Sequence, residues 1–179
     1  MTRIEPVNPD RASAEQREAL SAVKKAFGKV PALYATFGHS PAVVQALLRL
    51  QEALGAGALK RREQHLIDLH ASQLNGCGYC LSAHTAVASS EHIDDVEALR
   101  HGEVTAPRER ALVGIVRRVL LNGGALAGAE IAAAREAGLS DREIVEAIAA
   151  AGVRSLFNAV AIASGTPIDW PKAARIPEP

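Results

Sequence analysis

Signals that start or stop a helix recur along the whole chain, and they constrain its fold more than any other feature. Capping boxes, with a serine followed three residues later by glutamine or glutamate, stand at 13–16 and 140–143. Apolar residues recur at helical spacing between them, for example over 43–50 after Pro41. Aromatic residues make up only 3% of the chain, which disfavours strands. The sequence therefore predicts an all-α bundle of about eight helices.

Helix boundaries follow from the same capping, proline and glycine signals. Helices are predicted over residues 14–27, 41–54, 60–74, 77–88, 90–100, 107–121, 128–137 and 140–163, with a short turn or helical piece over 31–37. The 179 residues, 48% of them hydrophobic, suffice for one domain over 1–179 with a real core. From about residue 166 a proline-rich tail is predicted to lie on the surface or on a partner subunit. Its prolines are Pro167, Pro171, Pro177 and Pro179.

The charge balance argues against two classes of partner. Twenty basic residues match twenty acidic ones, so no net charge favours nucleic acid or an anionic membrane. The start of the chain has no apolar run of the signal-peptide kind. Segment 147–163 comes nearest to a membrane span, but Arg154 and Asn158 interrupt it. We therefore expect a cytoplasmic protein with no nucleic-acid or membrane partner.

The only two cysteines, Cys77 and Cys80, form a Cys-x-x-Cys pair. In a reducing compartment such a pair is more often catalytic or metal-binding than a structural disulfide. The three-residue offset at a predicted helix start brings the two sulfurs close enough to form a disulfide. The free N–H groups and the dipole of that helix terminus favour a thiolate at Cys77.

Two histidines lie at positions that suit proton transfer with this pair. His84 follows Cys80 by four residues, on the same helix face, where a neutral imidazole can take a thiol proton. His65 lies twelve residues before the first cysteine, and in an antiparallel helical hairpin its ring would face the pair. Asp68 and Ser72 share the face of His65 and are candidates for the same proton relay.

Two structural interpretations of these residues remain open at this point. The cysteines with His84 and His65 could complete a Cys₂His₂ tetrahedral zinc site, or the cysteines could simply be two small buried residues. Tyr79 is predicted to be a wall of a pocket. Arg154 and Asn158 are predicted to form a buried polar pair or a subunit contact. No role is assigned to the other histidines, which are His39, His70, His92 and His101.

The motif Asn-Gly-Cys-Gly-Tyr-Cys-x-x-x-His over 75–84 resembles the signature of the alkyl hydroperoxidase D and carboxymuconolactone decarboxylase superfamily. The resemblance is strong over 59–89 and looser over 31–169, where the chain is similar to the peroxidase-related branch. It implies an AhpD-like helical fold, a homo-oligomer and peroxide reduction by the cysteine pair. The resemblance further implies that Cys80 is the peroxidatic cysteine, Cys77 its resolving partner and His84 a member of the proton relay.

The chain departs from the family pattern at one position. The family usually has a glutamate twelve residues before the first cysteine, where this chain has His65. Glu63 is two residues away, about 200° around a helix of 3.6 residues per turn, so it cannot simply substitute. A histidine can still pass protons near neutral pH, but it lacks the fixed negative charge of a carboxylate.

These observations predict an enzyme, a peroxiredoxin-type hydroperoxide reductase that depends on thiols and needs no cofactor or metal. Cys80, Cys77, His84 and His65 are its predicted catalytic residues. Its predicted partners are a hydroperoxide substrate, a dithiol reductant that reopens the disulfide, and further copies of the chain. The alternatives are a decarboxylase acting on a lactone acid, which would not need the cysteine pair, and a non-enzymatic helical oligomer that senses redox state or binds zinc.

Overall fold

A computed structural model describes residues 1–174, and within them the chain forms nine α-helices, one short 3₁₀ turn and no strand. The helices are α1 (Ala14–Phe27), α2 (Ala32–Phe37), α3 (Pro41–Gly55), α4 (Arg61–Leu74), α5 (Gly78–Ser90), α6 (Val96–His101), α7 (Pro107–Asn122), α8 (Gly128–Glu136) and α9 (Asp141–Ser164). The all-α prediction is confirmed, with one helix more than the expected eight. Both capping boxes form, at the starts of α1 and α9.

One boundary differs clearly from the prediction. A helix was expected over 90–100, but α5 continues to Ser90 and α6 begins only at Val96. Between them His92 and Asp95 take positive φ angles of 55° and 56°, a conformation that histidine and aspartate tolerate better than most residues. The turn places Glu91 at the C-terminal cap of α5, and this position matters for the site.

Helix α4 is the centre of the bundle. It packs against α5, α6, α7 and α9, and its residues Leu66, Ile67 and Leu69 are fully buried. Small side chains on α9, such as Ala147 and Ala151, are also fully buried in this core. These small side chains leave room for α9 to pack closely on α4 and α7.

A second core cluster gathers the aromatic residues on one side of α5. It joins α1, α2 and α3 to the two cysteines and to part of α9. The chain has only six aromatic side chains, and all six lie in or against this cluster: Phe27, Tyr34, Phe37, Tyr79, Phe157 and Trp170. Composition alone could not show that the few aromatic rings converge on the cysteines.

The segment after α9 is tied to its own chain. The Asp169 carboxylate accepts hydrogen bonds from the Tyr79 hydroxyl and the Ala32 N–H, both at 2.9 Å. The Ala173 N–H donates to Ser82 Oγ at 3.1 Å, and Ala173 is buried. Up to residue 174 the tail therefore lies on the surface of its own chain, as predicted, where it packs on α2 and α5 with most of its residues exposed. Pro177 and Pro179 lie outside the described residues.

Helix α9 is long and apolar enough to cross a membrane by length and composition alone. Eight of its residues are buried inside the protein, and one of them, Arg154, pairs with Asp68 of α4. A core helix passes the same test of length and composition, and the packing of α9 on α4 and α7 is that of a core helix.

One guanidinium joins the N-terminal ends of three helices. Arg108 of α7 donates to Glu63 of α4 at 2.6 Å and also bonds Glu143 of α9. Glu63 is 3% exposed, and its other oxygen accepts from the Lys60 N–H at 2.9 Å, which caps α4. Glu63 is therefore committed to the frame of the bundle. The sequence predicted that Glu63 lies on a different face of α4 from His65 and cannot replace a carboxylate at that position. Its place in the frame of the bundle agrees with this prediction.

We expect Glu63→Gln to lower the free energy of unfolding by about 1.5–3 kcal/mol, because it removes one charge from a buried, charge-assisted hydrogen bond. Urea denaturation followed by circular dichroism measures the change. The control is Arg135→Gln, which breaks an exposed ion pair with Asp141 and should have little effect. Equal losses in the two variants would contradict the structural role of Glu63.

Candidate active site

The cysteine pair stands at the corner between α4 and α5. Gly76 turns the chain with a φ of 65°, a value that glycine adopts without strain. Cys77 follows as the N-cap of α5, and its sulfur accepts the Cys80 N–H at 3.3 Å. Both cysteines are free thiols and are almost fully buried, at 1% and 2% exposure. The helix start was correctly predicted from Asn75-Gly76.

The two thiols have opposite electrostatic environments. A hydrogen bond from the Cys80 thiol, helped by backbone N–H groups, lowers the pKa of Cys77. Burial, followed by the hydrogen bond to Cys77, raises the pKa of Cys80 well above its usual value. Cys77 is therefore the more acidic of the two thiols, and Cys80 donates the hydrogen bond between them. The direction agrees with the helix-terminus argument for Cys77.

The two sulfurs also differ in their access to a pocket, and here Cys80 rather than Cys77 is favoured. A pocket of about 110 Å³ reaches Cys80 but is not lined by Cys77. Five of the six aromatic side chains form its walls, with Ala83, His84 and Arg154 beside the sulfur. Tyr79 is one of these walls, as predicted, and its hydroxyl is held by Asp169, Leu33 and Trp170. Burial raises the pKa of Tyr79, so it is not an acid near neutral pH.

His84 is oriented by an acidic residue of the neighbouring helix. Its Nδ1 lies 3.5 Å from Asp68 Oδ2, and Asp68 Oδ1 accepts from Arg154 Nε at 2.8 Å. Burial would raise the pKa of Asp68, but Arg154 outweighs that effect and the net shift is downward. Burial and the nearby Arg154 lower the pKa of His84 to about 3.

These charges define the proton positions at His84. The ring is neutral near neutral pH, and an ionised Asp68 can only accept hydrogen bonds. The arrangement therefore favours the tautomer with the proton on Nδ1, facing Asp68, and a free lone pair on Nε2. A neutral imidazole with a free nitrogen, in the same pocket as a thiol, can relay the proton of that thiol.

His65 lies in a different place from the one predicted. Its ring does not line the cysteine pocket. It lines a larger neighbouring pocket of about 480 Å³, which shares His84 and Arg154 with the smaller one. His65 Nε2 lies 3.0 Å from Glu91 Oε2, while the buried Nδ1 has no hydrogen-bond partner among the described residues.

The other predicted relay members divide between the site and the core. Asp68 contacts His84, as expected, but Ser72 bonds the Asp68 carbonyl and Asn158 Oδ1 and takes no part in the relay. The predicted pair of Arg154 with Asn158 is not formed. Arg154 bonds Asp68, and Asn158 donates to the Ala71 carbonyl.

Sequence reasoning missed two residues of the site, Arg154 and Glu91. An arginine within the apolar segment 147–163 was a signal that it meets an acidic partner inside the protein. Glu91 carried no such signal, because the predicted helix over 90–100 placed it in a different element. Among residues 1–174 no group of three or more His, Cys, Asp or Glu side chains could hold a metal ion. The Cys₂His₂ zinc geometry is thus not formed.

Comparison with known proteins gives the same family as the motif. The carboxymuconolactone decarboxylase family model matches residues 41–118, which contain α3 to α6, most of α7 and both cysteines. No curated protein sequence matches the chain significantly.

Solved structures show the same fold at low sequence identity. A peroxidase-related protein from Ralstonia eutropha JMP134, described as an AhpD core, has a TM-score of 0.81 at 23% identity, covering 94% of this chain and 92% of that one. A peroxidase-related protein from Silicibacter sp. TM1040 has a TM-score of 0.78 at 21% identity, covering 98% and 93%. The debrominase Bmp8, solved with 2,3,4-tribromopyrrole, has a TM-score of 0.77 at 18% identity, covering 94% and 92%. The chain thus has the AhpD-like fold, and its residues 41–118 are similar to the carboxymuconolactone decarboxylase family.

Proposed function

We propose that the protein is a thiol-dependent hydroperoxide reductase. The observation that carries the proposal is the division of labour between the two sulfurs. Cys80 meets an aromatic-lined pocket beside the neutral His84, while Cys77 lies outside that pocket and is held as the more acidic thiol. An accessible attacking thiol with a thiolate directly behind it suits a two-cysteine peroxidase.

In the first step Cys80 attacks the terminal oxygen of a hydroperoxide R–O–OH. An S–O bond forms, the O–O bond breaks, and the sulfur is oxidised to a sulfenic acid. His84 takes the thiol proton at its free nitrogen and passes it to the departing alkoxide, which leaves as the alcohol. Because the pKa of His84 is about 3, the transient imidazolium is a strong acid and gives the proton up readily.

In the second step the Cys77 thiolate attacks the oxidised sulfur of Cys80. The S–S bond forms, the S–O bond breaks, and the departing hydroxide takes a proton to become water. His65, the second histidine of the connected pockets, is the proposed source of that proton. An external dithiol then reduces the disulfide by exchange. A cytoplasmic location suits this step. The cycle is also compatible with the proposed homo-oligomer, provided that its pockets stay accessible.

The lining of the Cys80 pocket also bears on the substrate. Phe27, Tyr34, Phe157 and Trp170 give it apolar walls, and burial of apolar surface stabilises an organic group there. We expect a higher kcat/KM for cumene hydroperoxide than for hydrogen peroxide, measured by coupled consumption of the dithiol. The control is Arg135→Gln, which should keep the same preference. Equal or reversed preference in the unmodified protein would contradict an organic substrate.

Cysteine variants test the roles of the two sulfurs. We expect Cys80→Ser to abolish peroxide turnover in the presence of a dithiol, because the attacking atom is gone. Cys77→Ser should consume one equivalent of peroxide and stop at a sulfenic acid on Cys80, seen as one added oxygen in the intact mass. Undiminished turnover in Cys80→Ser would refute the proposal. Activity on a carboxymuconolactone that survives loss of both cysteines would instead favour the decarboxylase alternative.

The pH dependence of thiolate formation tests the order of the two pKa values. In the native protein, one thiolate should form at a pH below the ordinary thiol pKa of about 8.5. The second should form only at a pH well above that value. Cys77→Ala should remove the first transition. Cys80→Ala should shift it to higher pH, because the hydrogen bond from the Cys80 side chain is the largest cause of the lowered pKa. Ultraviolet absorbance of the thiolate measures both; a first transition that persists in Cys77→Ala would contradict the assignment.

Trp170 supplies a signal for the reaction itself. It is the only tryptophan of the chain and lines the Cys80 pocket, so its fluorescence should change when the disulfide forms. Rapid mixing with one equivalent of hydroperoxide should show a change that dithiol reverses, with two thiols lost per chain. Cys77→Ser should lack the disulfide-dependent phase. A native protein that keeps both thiols after peroxide would contradict the two-cysteine cycle.

A further inference from the structure

His65 stands where the family pattern has a glutamate, so this position has no carboxylate. A carboxylate from the end of another helix, that of Glu91, is present in the site instead. Glu91, at the C-terminal cap of α5, extends back to α4. One of its oxygens, Oε2, lies 3.0 Å from His65 Nε2 and accepts from Arg61 Nε at 2.6 Å. The other oxygen bonds the second arm of the same guanidinium.

This geometry determines where the proton of His65 lies. Arg61 and His65 are four residues apart on α4, so they face Glu91 from one side of the helix. The Arg61 guanidinium, which donates to both oxygens, lowers the pKa of Glu91 to about 2. An ionised carboxylate only accepts hydrogen bonds, so His65 must carry a proton on Nε2.

The other nitrogen of the ring is left unsatisfied. His65 is 3% exposed, and its Nδ1 is buried without a hydrogen-bond partner among residues 1–174. A buried polar atom without a partner is costly and calls for a functional explanation. The ring lines the pocket that also contains His84, and its charge acts on both His84 and Asp68. Nδ1 is thus the atom available for proton exchange.

We infer that Glu91 is a positioning residue. It holds His65 so that the Nε2–H group donates a hydrogen bond to the carboxylate, and Nδ1 is then the only ring nitrogen that exchanges protons with the site. This inference rests on the proposed function. In that cycle the hydroxide released from Cys80 needs one proton, because Cys77 reacts as a thiolate. A His65 imidazolium, stabilised by Glu91, donates that proton from Nδ1 and returns to the neutral Nε2–H form, and solvent then restores it.

Several other charged groups surround His65. The charged and titratable groups lining the same pocket are Arg61 and Asp68 on its own helix, His84 and Glu91 on α5, Arg154 on α9 and Glu52 on α3. Glu91 is the one whose carboxylate lies at hydrogen-bond distance from the ring. Removal of the Glu91 carboxylate should therefore change the tautomer of His65.

The decisive experiment compares Glu91→Gln with the native full chain by NMR of ¹⁵N-labelled histidine. In the native protein the neutral His65 ring should be protonated at Nε2. In Glu91→Gln this preference should be lost, because the neutral amide no longer presents an ionised oxygen that can only accept a hydrogen bond from Nε2. The matched control is Glu103→Gln, an exposed glutamate after α6, which should leave the His65 signals unchanged. An unchanged tautomer of His65 in Glu91→Gln would overturn the inference.

Kinetics separate positioning from a general effect on folding. Glu91→Gln should lower kcat for hydroperoxide between about tenfold and a hundredfold, part of the factor of about 10²–10⁴ that acid–base catalysis supplies, with little change in KM. In a His65→Gln background the same substitution should have no further effect. An equal loss in that background would show that Glu91 does not act through His65.

The two parts of the test fail independently. The tautomer of His65 is measured without peroxide, so it tests Glu91 whatever reaction the cysteines perform. Undiminished turnover in Cys80→Ser would overturn the proposed function but leave the link from Glu91 to His65 intact. An unperturbed His65 in Glu91→Gln, together with inactive Cys80→Ser, would overturn only the positioning role.

Discussion

The ion pair between the buried Arg154 and the partly buried Asp68 is the interaction on which the site depends. It joins α4 to α9, and Arg154 is only 7% exposed, with its Nη2 2.7 Å from Asp68 Oδ1. A buried charge of this kind is tolerated only when it is paired. The pair also sets the chemistry around it, because Asp68 orients His84 while Arg154 disfavours protonation of that ring. Arg154 also contributes to the lowered pKa of Cys77 and opposes, without reversing, the rise in the pKa of Cys80 that burial causes.

Acidity favours one cysteine and access to the pocket favours the other. Together, these two properties explain why two cysteines are present. The N-cap position and the donor thiol of Cys80 favour charge on Cys77. The pocket, however, reaches Cys80. A thiolate that cannot meet the substrate is well suited to attack an oxidised neighbour, whereas an accessible neutral thiol needs help from a base such as His84. In the proposed cycle, access to the pocket rather than acidity decides which sulfur attacks.

Helix-level features were readily predicted because they depend on neighbours in the sequence. Capping boxes and Asn75-Gly76 act within one turn of the chain, and those boundaries are confirmed. The clearest error was the helix expected from residue 90. Nothing in the local pattern indicated that His92 and Asp95 would take positive φ angles and leave Glu91 as the cap of α5. That error also hid the carboxylate that reaches His65.

The sequence by itself determined the all-α fold, the Cys77–Cys80 pair at a helix start and His84 one turn beyond, since each follows from spacing along a single helix. Only the tertiary structure decided which charges meet that helix. Asp68 and Arg154 are 86 residues apart in the chain, and Glu91 and His65 are 26 apart. Their contacts exist because α4 packs between α5 and α9, and a hydrogen bond depends on packing to within a few tenths of an ångström, which no residue pattern specifies.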